Sequence, residues 1–173
     1  MSIFTKEHND LREKHNTKNK FEYYFDNIVK DEIDESLANY LESLEYFFFA
    51  TSNINGNTNV NFKGKKSKYL IKVLDEKTFI FPDYFGNGIF HGAGDILSNP
   101  NVGLLCIDFS NDKRVKISGT AEIIDNKKEL LKYMDLFDSY DIQRVIEIRV
   151  NYIIPNCSNN LSIVRESILK DCN

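Results

Sequence analysis

Four of the chain's 8 glycines, Gly86, Gly88, Gly92 and Gly94, crowd into the segment FGNGIFHGAGDILSNP. A strand end followed by a glycine-rich turn and a helix start presents backbone N–H groups to an anion. The same glycines also suit a tight turn that needs positive φ, and the residues alone leave both readings open. A dinucleotide fingerprint is absent, because His91 stands where the third glycine of GxGxxG belongs. A phosphate also needs cations. Lys63, at the end of a strand pattern and followed by Gly64, is held near a sheet edge, whereas Lys65, Lys66 and Lys68 read as a solvated loop. Arg114 and Lys116 lie two apart on a strand pattern and so share a face.

Side chains for acid–base or nucleophilic work are scarce. The 3 histidines are His8, His15 and His91, and the first two sit in a polar arm. HExxH, GxSxG, an EF-hand loop and paired catalytic carboxylates are all missing, so no catalytic side chain and no metal site are assigned. A phosphate-friendly loop with few acids and bases points to a bound cofactor that carries the chemistry.

Composition narrows the partners. Lys+Arg number 22 against 26 Asp+Glu, a net charge of -4, without the basic surplus of a nucleic-acid binder. No apolar run has the length of a membrane helix, and MSIFTKEHND lacks the apolar stretch of a signal peptide. A cytoplasmic protein is expected. Cys106, Cys157 and Cys172 form no CxxC pair. Cys106, within VGLLCI, is expected in the core. With no Trp, 13 Phe and 9 Tyr must supply the large flat surfaces.

The elements that position these residues follow from periodicity. Residues 1–20 read as an arm or a short surface helix. Phe21, Tyr24, Phe25 and Ile28 share one helix face, and DEIDESLANYLESL makes a further helix with its acids in the first turn. At Glu45 the period changes. EYFFFATSN and TNVNFKG form a hairpin about Asn53–Asn57, KYLIKVL and KTFIFPDY a second, and NVGLLCIDF and RVKISGTAEII a third. A short helix lies within the glycine segment. Another is capped by Asp125 or Asn126, RVIEIRVNYII is the last strand, and SIVRESILK is a tail helix. The sequence thus predicts a mainly β fold with flanking helices. Six or so antiparallel strands with short turns favour a closed barrel over an open sheet. The expected division is a helical arm over 1–32 and a barrel domain over 33–173.

In order and spacing, YFFFATSNINGNTNVNFKG, YLIKVLDEKTFIFPDYFGNGIF, GDILSNPNVGLLCIDF and RVKISGTAEII resemble the pyridoxamine 5'-phosphate oxidase-like family of FMN-binding split β-barrels. The likeness is to its subgroup of predicted flavin-nucleotide-binding proteins, and it extends to LREKHNTKNKFEYYFDN and VIEIRVNYIIPNC near the two ends. The resemblance implies a homodimer with FMN at the subunit interface. It implies Lys63 as the phosphate cation, Asp83 and Tyr84 beside the flavin ring or ribityl chain, and Gly86, Asn87 and Gly88 at the phosphate. Asn61, Phe62, Arg114 and Lys116 are further cofactor-binding positions on the same ground. Many relatives have a basic pair after the loop glycine, where this chain has Gly88 and Ile89; the vitamin B6 oxidases also carry a C-terminal Trp and a basic substrate segment, both absent here.

The expected function is an FMN-dependent oxidoreductase acting on a small planar substrate, not a true pyridoxamine phosphate oxidase. The first alternative is a flavin-binding or electron-transfer module without turnover of its own. The second is a site that takes haem or a deazaflavin instead.

Overall fold

The structure is a computed structural model that describes residues 4–155 and 160–171. Cys157 and Cys172 lie outside the described residues. Three helices precede the sheet: α1 (Lys6–Lys14), α2 (Lys18–Asn27) and α3 (Glu35–Glu42). The strands are β1 (Tyr46–Ser52), β2 (Thr58–Gly64), β3 (Lys72–Val73), β4 (Thr78–Tyr84), β5 (Asn101–Asp108), β6 (Lys113–Ile124) and β7 (Ile142–Pro155). Helix α4 (His91–Ser98) joins β4 to β5, α5 (Lys127–Phe137) joins β6 to β7, and α6 (Leu161–Asp171) follows. All three expected hairpins form, and the strand order is β2-β1-β5-β6-β7-β4-β3.

The expected count of six or so antiparallel strands holds, and the expectation that they close into a barrel needs one correction. The sheet has seven strands, and among the described residues its edge strands β2 and β3 do not pair with each other. Curling brings its two halves together all the same. Phe81 of β4 packs edge-on against Phe47 and Phe49 of β1, with ring centroids 5.2 and 5.1 Å apart, although three strands lie between β1 and β4 in the sheet. Side chains, not a backbone ladder, therefore close the split.

Alternation dictates what fills the curl. Phe47 and Phe49 of β1, Phe79 and Phe81 of β4, Leu104 and Cys106 of β5, and Ile146, Ile148 and Val150 of β7 all point inward and are buried. Burial pushes the Cys106 thiol up to about 12, so it behaves as a small apolar residue. A second cluster forms where α5 covers the far side of β4 and β7, with Ile80, Leu130, Phe137, Ile142 and Val145. Asn126 caps α5, accepting a hydrogen bond from the Lys128 N–H at 2.9 Å.

Two expected elements are shorter than their patterns. In KYLIKVL only Lys72 and Val73 pair with β4, because Leu70 and Ile71 are spent on the core from irregular backbone and Lys68 N–H turns away to Phe137 O at 3.2 Å. Helix α3 begins after Asp34, whose carboxylate accepts from the Leu37 N–H at 2.9 Å, and not at Asp31. The preceding residues are committed elsewhere: Lys30 bridges to Ile153 of β7, and Ile33 N–H reaches Glu76 O at 2.7 Å. No helix among the described residues is long and apolar enough to cross a membrane.

Candidate functional site

The inner face of β2 is polar. Asn59, Asn61 and Lys63 stand opposite Thr51, Phe49 and Phe47 of β1, so all six point into the curl. Asn59, Asn61 and Lys63, with Phe49, form one wall of a cavity of about 430 Å3, within the range of roughly 300–1,000 Å3 usual for ligand sites. The other walls come from the end of β4, the glycine loop, the start of α4 and the beginning of β7.

Three charged side chains meet at this cavity. Lys63 Nζ donates to Asp83 Oδ1 at 2.6 Å, and Arg144 Nη1 lies 3.7 Å from Asp83 Oδ2. Asp83 and Arg144 are direct cross-strand partners on β4 and β7. A bulge between Asp83 and Tyr84 leaves Gln143 without a cross-strand partner in that register. Lys63 arrives from the far half of the sheet. The guanidinium of Arg144 sits 4.9 Å from the centre of the Phe90 ring, a cation–π contact on a side chain only 7% exposed. Two cations against one carboxylate leave a local surplus of positive charge.

The loop beyond β4 is built by local rules. Gly88 has φ 79, which glycine adopts without a Cβ penalty, and the Asn87 side chain accepts from the Ile89 N–H at 3.1 Å. Phe90 precedes α4 at φ 54, an uncommon conformation for a bulky residue, and its ring covers Arg144. No side chain caps α4, whose first residues His91, Gly92 and Ala93 border the cavity. A Cβ on Gly92 would lie 3.3 Å from Asn61 Nδ2, so glycine lets the helix approach β2 closely. Below it, Thr51 Oγ1 donates to the buried Asp95 at 2.7 Å, Asn59 Nδ2 donates to Thr51 Oγ1 at 3.3 Å, and His91 Nε2 lies 3.9 Å from Asp95.

Of the cofactor-binding positions expected from the sequence, Asn61, Lys63, Asp83, Tyr84, Gly86, Asn87 and Gly88 border this one cavity. Phe62, Arg114 and Lys116 do not. Phe62 points to the outer face of β2 and stacks on Tyr46 at 5.6 Å. Lys116 borders an outer apolar groove with Phe48, Val60, Leu105, Tyr152 and Ile154, and Arg114 borders a third groove beside Tyr40 and Pro155. Sequence reasoning passed over Arg144 and the Thr51–Asp95 pair. The signal for Arg144 was its phase, two residues ahead of Ile146 on the stripe that continues through Ile148 and Val150. Among the described residues, no group of three or more His, Cys, Asp or Glu is placed to hold a metal ion.

A curled, incompletely closed antiparallel sheet with a polar cavity between its halves defines a split β-barrel. Solved structures share that fold. A variant of HupZ from Group A Streptococcus matches with a TM-score of 0.58 at 19% identity, covering 72% of this chain and 99% of its own. An FMN-binding protein from Syntrophomonas wolfei matches with a TM-score of 0.52 at 9% identity, covering 84% and 97%. General Stress Protein 26 from Bacillus anthracis matches with a TM-score of 0.50 at 14% identity, covering 70% and 91%. No curated protein matches the sequence. The family model described as pyridoxamine 5'-phosphate oxidase matches residues 33–153, most of the chain, and the protein belongs to that family.

Proposed function

We propose that this chain binds FMN in the cavity between β2, β4 and α4 and works as an FMN-dependent oxidoreductase on a small planar substrate. The observation that carries the reading is a single cavity with apolar and aromatic walls (Phe49, Tyr84, Ile96) and one cationic end (Lys63 and Arg144). A flavin nucleotide has the same division, a flat ring at one end and a phosphate at the other. Lys63 and Arg144 would hold the phosphate, supported by the loop from Gly86 to Gly88. Asn59 and Asn61 offer amide donors and acceptors to the polar edge of the ring or the ribityl chain. Bound there, FMN would supply hydride or electron transfer, and the protein would orient it.

A homodimer is part of this proposal. The outer face of β1, β2 and β5 is apolar, and Val60 and Phe62 are each 63% exposed on it. A second copy of the chain is the proposed cover. Phe62, Arg114 and Lys116, which lie away from their own cavity, would meet a flavin only from the partner protomer.

The test is direct. Protein purified from cells should show flavin absorbance, or take up FMN on titration, and should elute as a dimer. Absence of both flavin bands and FMN binding would sink the cofactor reading. NAD(P)H consumption with an electron acceptor should follow; bound flavin without turnover would leave a carrier or electron-transfer module.

A further inference from the structure

We propose that Asp83 is a built-in counter-ion that holds the two phosphate cations in place and limits how tightly the cavity takes a phosphate. The inference rests on the reading of this cavity as a flavin-phosphate site, and it moves Asp83 from the neighbourhood of the ring to the charged end.

The geometry points that way. The two carboxylate oxygens of Asp83 face different cations, Lys63 at 2.6 Å and Arg144 at 3.7 Å. All three side chains border the cavity and none is more than 25% exposed. A carboxylate between two cations occupies the place that a phosphate oxygen would take, because both groups present anionic acceptors to the same donors.

The partners differ in freedom. Arg144 is anchored beside Asp83 by β-pairing and covered by Phe90. Lys63 reaches Asp83 on a four-carbon stem from a strand at the other edge of the sheet, and can swing to an incoming anion. With Asp83 ionised the trio carries one net positive charge; without it, two. A phosphate monoester brings a charge of about −1.5 to −2 at neutral pH. Asp83 therefore opposes phosphate entry, while keeping two partly buried cations from standing as an unpaired pair that would capture any small anion. Such a device favours a ligand whose ring adds binding of its own over inorganic phosphate.

The experiment compares wild type with D83N, D83S and D83E, using FMN, riboflavin and inorganic phosphate as probes in fluorescence and calorimetric titrations. Removing the charge should raise the preference for FMN over riboflavin by about tenfold or more, since a close unit charge in a partly buried site acts with little screening. Inorganic phosphate should bind more tightly to the same two variants, and D83E should keep the wild-type preference. An unchanged or lowered preference in D83N and D83S, with normal thermal melts, would overturn the proposal. Failure of both variants to fold would overturn it too, since Asp83 would then be a structural strap. If no form binds either flavin, the cofactor reading fails separately. Inorganic phosphate then decides the counter-ion role: tighter binding to the variants upholds it, and equal binding overturns it.

Discussion

Strands β1 and β2 are neighbours, seven residues each and paired along their whole length, yet their inner faces differ in polarity. β1 turns Phe47 and Phe49 inward, as a strand over a core should. β2 turns Asn59, Asn61 and Lys63 inward and leaves Val60 and Phe62 outside. The same curl lies behind both strands, so burial alone does not explain the reversal. β1 faces packed aromatic rings and borders the cavity through Phe49, while β2 faces the cavity with Asn59, Asn61 and Lys63. The strand with inverted polarity gives the site a polar wall, and its apolar residues stand exposed on the outer face.

The comparison can be broken or sharpened at several points. The largest effect is expected on the β1 side. Phe81→Ala removes the ring against which Phe47 and Phe49 pack, and should cost about 3–5 kcal/mol in chemical denaturation. On the outer face of β2, Phe62→Asp should weaken self-association by about 2–4 kcal/mol, read by sedimentation, while the chain stays folded. A variant that remains dimeric would place the partner elsewhere.

On the inner face, Lys63→Ala should lower FMN affinity by about 1.5–3 kcal/mol with riboflavin little changed; equal losses for both ligands would move the phosphate away from Lys63. The smallest effect is expected where polarity is broken without any site. Glu147 stands directly across from Glu122, and burial, reinforced by the nearby Glu122 and Asp75 charges, raises its carboxyl above the usual carboxylate value. The folded chain then keeps the Glu147 proton to higher pH than the unfolded chain does. Stability is lost as pH climbs from the unfolded value of about 4.3 through the folded one. Glu147→Gln should therefore stabilise by about 0.2–1 kcal/mol near neutral pH, and the gain should vanish in thermal melts below pH 4 or so.

The sequence exposed the parts of this fold that depend on local period. The change from helical to strand patterning at Glu45, the three hairpins and the helix beginning at His91 all follow from spacing and turn residues. The extent of β3 did not, because an apolar run such as Leu70–Ile71 reads the same whether it pairs in a sheet or fills a core from a bend. Within the cavity, the glycine loop and Lys63 stood out as residue types that suit an anion. Arg144 was hidden because a charge inside an apolar strand pattern looks like a solvent-facing position until the phase of the strand is known. The meeting of Lys63 with Asp83 was out of reach for a further reason. It joins strands separated by four others in the sheet, and only the curl brings them together.

The free edge of β2 has a consequence for handling the protein. An outermost strand offers its unpaired backbone groups as a template for strand addition, and apolar side chains beside them favour the wrong partner. Val60 and Phe62 place that combination at the margin of the sheet. If two copies pair through this face as proposed, a separated protomer is the species most prone to aggregate, and precipitation should grow with concentration wherever the outer face is bared without adding charge. Phe62→Asp adds a charge at that margin and should stay in solution, whereas an uncharged substitution that separates the protomers should not.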